Sequence, residues 1–356
     1  WYIEFYSVNK KQIWVKFTVL HPLIFFYLFN LLYFWLNKNK HTMKNYAKLI
    51  KLTLIVVTST IMFSCSDDDS SNNDSNTIAA VASQNSNLSI LVDALERADL
   101  SLNRNGSFTV FAPTNDAFIQ FLNDNNFESL EDVPVPVLRQ VLLNHMVTGV
   151  NLSTDLSTGY IKTLAKGSAS STNTLSMFVN TASGVRLNGV ANVIAADVMA
   201  SNGVVHVVDA VIGLPTIVTH AVANPNFSTL VGALTAEGQP DFVGILSGTA
   251  SSPFTVFAPS NSAFETFESQ NPGTIASLTS AQLTAVLTYH VVAGANVLST
   301  GIPTGPITTF ESGTFTISGT TITDEVLRQT NIVAVDVQAT NGVIHVIDNV
   351  ILPNLN

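Results

Sequence analysis

The stretch NGVVHVVDAVIGLP at 202–215 returns as NGVIHVIDNVILP at 341–353, 139 residues later. A chain with such a return holds a domain and its copy. Valine and isoleucine alternate around one histidine and one aspartate, which predicts an apolar strand opened by an Asn-Gly turn. Each copy ends on this run, so everything else can be aligned backwards from it.

Copy one starts near Thr77 and copy two near Thr216. Leu88, Leu91, Val92 and Leu95 are spaced i, i+3, i+4, i+7, and Phe227, Leu230, Val231 and Leu234 repeat the spacing. Each set predicts one apolar face of an amphipathic helix. Next come FTVFAPTNDAF at 108–118 and FTVFAPSNSAF at 254–264. Phe-Thr-Val-Phe alternates as a strand, and Pro113 and Pro259 keep the preceding alanines extended. Thr114 or Asn115, and Ser260 or Asn261, suit the N-cap of a following helix that turns Phe118 and Phe264 inward. The offset has grown to 146 here, so copy two carries a seven-residue insertion around 238–252. A third helical stripe ends on a histidine, in Leu138, Val141, Leu142, His145 and in Leu283, Val286, Leu287, His290. Both histidines share the predicted buried face and stand close to the helix end, where loose carbonyls can accept a ring proton. Tyr289 precedes His290 and falls off that stripe, so its removal is expected to cost less than removal of His290. Alternating runs such as LSMFV at 175–179 and FTISG at 315–319 predict strands between these motifs.

In order and spacing, the FTVFAP, Tyr-His and NGVxHVxD motifs resemble the fasciclin domain family over about 77–353. The resemblance implies an α+β fold, with two tandem fasciclin-like domains at 77–215 and 216–356, each a compact β-sheet wedge with several helices. It also implies adhesion to cells, extracellular matrix or polysaccharide. In that family the Tyr-His motif is linked to cell adhesion, so Tyr289 and His290, with Asn144 and His145 at the matching place, are the candidate adhesion motif. Copy one departs from the pattern, because Asn144 stands where the family has tyrosine. Only about three residues separate the copies, so the junction is expected to be short and stiff. Each copy is also expected to fold by itself.

Charge is unevenly distributed. Of 15 basic and 25 acidic residues, only seven basic but twenty acidic ones lie beyond Asn76. The second copy has a single basic residue, Arg328, against nine acids. A surface of this kind repels phosphate backbones and carries no basic stripe, which excludes nucleic acid as a partner.

The leader explains the one cysteine. Met43 opens a stretch in which Lys44, Lys48 and Lys51 precede the apolar run 52–63, a secretory layout too short to span a membrane. Cys65 ends it and resembles the lipobox cysteine of bacterial lipoproteins, although Phe63 stands where a small residue is usual. Residues 43–64 are therefore expected to be a lipoprotein signal peptide, with Cys65 lipidated and the membrane reached through that anchor. Residues 65–76 read as an acidic, Ser/Asn-rich tether. Its Cys-Ser-Asp-Asp-Asp start is similar to the acidic surface-export signal of some bacterial lipoproteins. The expected location is the outer membrane, exposed at the cell surface, with the periplasmic face as the alternative. Residues 1–42 are expected to be upstream, non-native sequence, with Met43 the true start.

No Gly-x-Gly, P-loop, Gly-x-Ser-x-Gly or HExxH pattern occurs, and no cofactor or metal is implied. His206 and Asp209, like His345 and Asp348, are three apart, so on a strand they face opposite ways and do not converge on one ion. The resulting expectation is a non-enzymatic adhesion protein. The alternatives are a periplasmic small-molecule-binding protein or enzyme, and a structural envelope spacer.

Overall fold

The computed structural model describes residues 5–8, 12–15, 76–102 and 106–355. Strands β1 (Phe5–Val8) and β2 (Gln12–Val15) pair antiparallel within a unit covering Trp1–Ser71. The rest of 1–42, the segment 43–64 expected to be a signal peptide, and Cys65 lie outside the described residues. Both repeats belong to the other unit, Asn72–Asn356.

The first domain runs α1 (Ile78–Gln84), α2 (Ser89–Arg97), β3 (Phe108–Pro113), α3 (Asn115–Asp124), α4 (Val135–Asn144) and β4 (Met146–Thr148). It continues with β5 (Gly159–Gly167), β6 (Ser170–Asn180), β7 (Arg186–Leu187), β8 (Ala191–Ala200) and β9 (Gly203–Val208). The seven strands form one sheet in the order β4-β3-β9-β8-β7-β6-β5. The second domain repeats this with α5 (Ile217–Ala223), α6 (Ser228–Leu234), α7 (Phe242–Ser247), β10 (Phe254–Pro259), α8 (Asn261–Gln270), α9 (Thr274–Ser277), α10 (Ser280–Tyr289) and β11 (Val291–Ala293). Strands β12 (Ile307–Thr308), β13 (Thr314–Ser318), β14 (Thr321–Thr323), β15 (Gln329–Ala339) and β16 (Gly342–Ile347) complete a sheet ordered β11-β10-β16-β15-β14-β13-β12. Helix α7, capped by Asp241, is the inserted segment of the second repeat.

All neighbours are antiparallel except one pair in each sheet. The FTVFAP strand lies parallel to the closing strand, Phe108 beside Gly203 and Phe254 beside Gly342. These glycines are needed for close approach. A Cβ on Gly203 would lie 1.9 Å from the Phe108 carbonyl oxygen, and one on Gly342 would lie 2.1 Å from that of Phe254. The turn before each strand is therefore Ser201-Asn202 or Thr340-Asn341, and the glycine is already part of the ladder rather than of an Asn-Gly turn.

The asparagines of both motifs join helices to the sheet. Asn202 Oδ1 accepts from Ile78 N–H at 2.8 Å and Asn341 Oδ1 from Ile217 N–H at 3.1 Å, satisfying an open donor at the start of α1 and α5. Thr114 and Ser260 are the side chains that cap α3 and α8. Their neighbours Asn115 and Asn261 reach across instead, to Ile90 N–H and Thr229 N–H in the first turns of α2 and α6. Of the predicted inward rings, Phe118 is buried and Phe264 is half-buried.

The two domains meet along a buried seam. The turn after β5 runs against the β15–β16 turn so closely that a Cβ on Gly167 would lie 2.4 Å from Thr340 Cα. Ala169 N–H donates to the Thr340 carbonyl at 2.8 Å, and Thr340 N–H donates to Pro215 O at 2.8 Å. Ser176 Oγ accepts from Gln338 N–H at 3.0 Å, and Lys162 Nζ donates to Asp336 O at 2.7 Å. Tyr160 stands edge-on over His220, with ring centroids 5.4 Å apart. Each half has its own sheet and core, and the buried Ser176, His220 and Gln338 lie at the seam between them. The pair is therefore expected to melt in one calorimetric transition. Gly167→Val, which forces the seam apart, should split it into two while leaving far-UV circular dichroism unchanged. Two resolved transitions in the unaltered protein would contradict this reading.

Candidate functional site

The four residues of the candidate adhesion motif are all buried: Asn144, His145, Tyr289 and His290. Helices α4 and α10 end just before the histidines, which occupy the C-cap positions. His145 Nδ1–H donates to Val141 O at 2.7 Å, the carbonyl one turn back that the ending helix leaves open. Its Nε2 accepts from Ile212 N–H at 2.8 Å, on the chain leaving the closing strand. His290 makes the same pair with Val286 O at 2.7 Å and Ile351 N–H at 3.2 Å. The partners fix one neutral tautomer, and each ring pins a helix end to the chain that exits its domain.

Burial holds both rings near a pKa of about 4, against 6.5 for free imidazole. Burial lowers the seam residue His220 to about 4 as well.

Tyr289 corrects the sequence expectation. It falls off the helical stripe yet is fully buried, because the second half of the sheet covers the other side of the helix. Its hydroxyl donates to Thr314 O at 2.8 Å and accepts from Glu325 N–H at 3.1 Å. Its ring stands edge-on to Phe315 at 5.9 Å. Burial pushes the phenol well above its ordinary pKa. In the first domain Asn144 takes this place. It donates to Ile212 O and Gly213 O at 3.3 and 3.0 Å, and Val147 and Met177 fill the matching cluster.

His206 in β9 and His345 in β16 are buried and stack on Phe111 and Phe257 with centroids 5.4 Å apart. Their Nε2–H groups donate to Asn151 O and Val297 O at 2.9 and 2.8 Å. Asp209 and Asp348 turn away and clamp Asn192 and Asn331 by backbone and side-chain amides together. Sequence reasoning missed Asp197 and Asp336, each at a β-bulge with φ 61°. Each carboxylate accepts from the backbone N–H and Oγ of one serine, Ser153 or Ser299. The matching ADVMA and VDVQA segments carry that signal in sequence. Serine, aspartate and histidine meet around Asp197, but the aspartate stands between the other two and no proton path joins serine to imidazole.

Two cavities adjoin these features. One, of about 270 Å³, lies over His290 and is lined by apolar side chains including Leu230, Phe264, Phe267 and Leu283. Both imidazole nitrogens are already engaged, so it offers apolar contact without an aimed polar group. The other, of about 570 Å³, is a groove lined mainly by the first domain, with Thr219 of the second, where Gln120, Asp124, Asn125 and Asp209 stand beside Phe121 and Phe127. Exposed amides and carboxylates next to aromatic rings suit a ligand rich in hydroxyl groups. Among the described residues no group of three or more His, Cys, Asp or Glu could hold a metal ion. No described helix is long and apolar enough to cross a membrane.

Two copies of one seven-stranded wedge, pinned by matched buried histidines, define a tandem-domain scaffold. The chain belongs to the fasciclin domain family, whose model matches residues 86–215 and 225–353. It is 38% identical to the uncharacterized protein sll1735 of Synechocystis sp. over 141 residues, 39% of this chain and 98% of that one. It is 29% identical to human periostin over 256 residues, 70% of this chain but 29% of periostin. A FAS1 domain pair from the insect cell adhesion molecule fasciclin I aligns over 75% of this chain and 92% of its own, at 22% identity and a TM-score of 0.43.

The geometry makes the motif residues structural. His290→Ala should cost about 2–4 kcal/mol, from the cavity and the unpaired backbone groups it leaves. Tyr289→Ala should cost at least as much, about 3–5 kcal/mol, since a larger buried ring is lost. Denaturant melts of the two variants check this order, and a Tyr289→Ala melt like the unaltered protein would refute it.

The pH dependence has a definite sign. Below 6.5 the unfolded chain protonates imidazoles that the fold keeps neutral. Stability present above that pH is lost as pH falls toward 4, at about 1.4 kcal/mol per pH unit for each buried ring. Melts across that window should show a steep decline, and a flat profile would contradict neutral pins.

Proposed function

We propose that this protein is a membrane-anchored surface lipoprotein whose fasciclin domains mediate adhesion to cells, extracellular matrix or polysaccharide. Family membership supports the adhesion class, and the leader ending at Cys65 with its acidic tether supports the anchor. The observation that carries the reading is the contrast between the motif and the groove. Tyr289, His290, Asn144 and His145 are buried and act by holding shape. The groove beside Gln120, Asp124 and Asn125 presents exposed polar groups to a partner. With so few basic residues in the folded body, anionic glycans gain no direct charge attraction, so neutral glycans or protein surfaces are the favoured partners. The apolar cavity over His290 favours a second reading, a binder of small apolar molecules.

Two measurements test the proposal. Cys65→Ser should move the protein from membrane to soluble fractions; a variant that stays with membranes would place the anchor elsewhere. On a glycan array and on whole cells, the Gln120→Ala, Asp124→Ala double variant should lose binding about tenfold or more with its melting unchanged. His290→Ala should lose binding only in step with unfolding. A stably folded His290→Ala protein that no longer binds would make the histidine a contact residue.

A further inference from the structure

Strands β8 and β15 are copies of one another, but among the described residues only β15 is covered. Both carry the same double register shift and the same aspartate at φ 61°, and both end in a two-residue turn. In such a hairpin the residue before the closing pair points its N–H and C=O away from the partner strand. That residue is Met199 in β8 and Gln338 in β15. In β15 the outward groups are used. Gln338 N–H meets Ser176 Oγ at 3.0 Å and its carbonyl faces His220 Nε2 at 3.4 Å. The β5–β6 hairpin of the first domain lies over this edge, leaving Val337 3% and Gln338 1% exposed.

Among the described residues nothing covers the corresponding edge of β8. Strand β7 pairs only with Ala191 and Asn192. Among the described residues none bonds the outward groups of Met199, and Val198 and Met199 are 36% and 55% exposed. The surroundings of the covered edge recur here as well. Tyr160 of the covering hairpin rests on His220, and its hydroxyl accepts from Asn224 Nδ2 at 3.3 Å. The matching residues in the first domain are Val81, half-buried, and Asn85, exposed. Asn85 Oδ1 accepts from the N–H two residues on, as Asn224 Oδ1 does, so the two amides are held the same way.

We infer that the outer edge of β8, with Val81, Asn85 and Asp197, is a docking site for a β-hairpin from another protein chain. The hairpin it fits has the chemistry of β5–β6: a hydroxyl for Met199 N–H, a lysine for the Asp197 carbonyl, and an aromatic ring over Val81 with a polar tip at Asn85. The second domain of another copy does not supply it, because its corresponding hairpin, β12–β13, is only two and five residues long. An open edge with apolar side chains on its face is a template for added strands, and the covered copy shows which kind of strand pair fits.

The test uses the full chain and a backbone-cyclised peptide of residues 159–180, confirmed by NMR to hold its cross-strand contacts. Labelled peptide should bind the protein one to one. Met199→Asp, at an exposed position that leaves the fold intact, should weaken binding about tenfold or more, and Asn85→Ala should weaken it less. Gln338→Ala, at the covered edge, should leave binding unchanged. Absence of peptide binding, or binding indifferent to Met199→Asp, overturns the inference. So does a dimer of the unaltered protein that Met199→Asp dissociates while the peptide fails to bind, since two β8 edges would then be pairing with each other.

Discussion

Each domain depends on one parallel contact, that between its FTVFAP strand and its closing strand. Parallel neighbours need a crossover, and here the larger part of the domain is that crossover. Strand β3 sits between β4 and β9, so it is an interior strand, and its packing decides whether the helices and the rest of the sheet have a common surface. The contact requires a residue without a side chain at one place only. Gly203 and Gly342 let the backbones approach where any Cβ would overlap a carbonyl oxygen. The adjacent asparagines then fasten the first helix to the same corner. Ile78 bonds Asn202 across 124 residues of sequence, and Ile217 bonds Asn341 across the same interval.

The histidines close the opposite corner. A helix that stops in the interior leaves carbonyls without partners, and a buried unpaired carbonyl costs about as much as a lost hydrogen bond. Imidazole can answer a carbonyl with one nitrogen and a backbone N–H with the other, which neither an amide at that reach nor an aliphatic chain does. His145 and His290 use both, and so couple the end of α4 or α10 to the segment leaving the domain. The residue before each histidine is freer to vary. Tyrosine fills a large cluster in the second domain, and asparagine with Met177 fills the smaller one in the first.

Much of this fold could be read from the sequence because the repeat supplied its own control. Helix stripes at Leu88–Leu95 and Phe227–Leu234, the capped strand-to-helix motif and the buried histidines all follow local periodicity, which a single sequence records. What escaped was set by partners far along the chain. Tyr289 looked peripheral because a helical wheel shows one buried face, whereas α10 is covered on two. Asn115 and Asn261 looked like caps of their own helices and serve α2 and α6 instead, across about 25 and 32 residues. The bulges at Asp197 and Asp336 need a residue in the left-handed region, which aspartate tolerates but does not announce. The seam between the domains was hardest to read, since its contacts, Ser176 to Gln338 and Lys162 to Asp336, lie more than a hundred residues apart. Of the candidate site, the two motif histidines were legible as buried, while the groove beside Asp124 arises from the juxtaposition of α3 and α4 with the loop before β8 and the segment after β9.

The first-to-last strand pairing has a consequence for how the chain is made. A polypeptide leaving a ribosome or threading through a translocon presents its residues in order. Strand β3 emerges early but its parallel partner β9 arrives last, so the parallel ladder of the first domain stays open until nearly all of that domain is out. Closing so long a loop is entropically costly and slow compared with local helix formation. Until then the sheet exists only as two separate parts, β3–β4 and β5–β8, without the strand that joins them. Two domains built on this plan would lock one after the other, each on release of its own Asn-Gly strand.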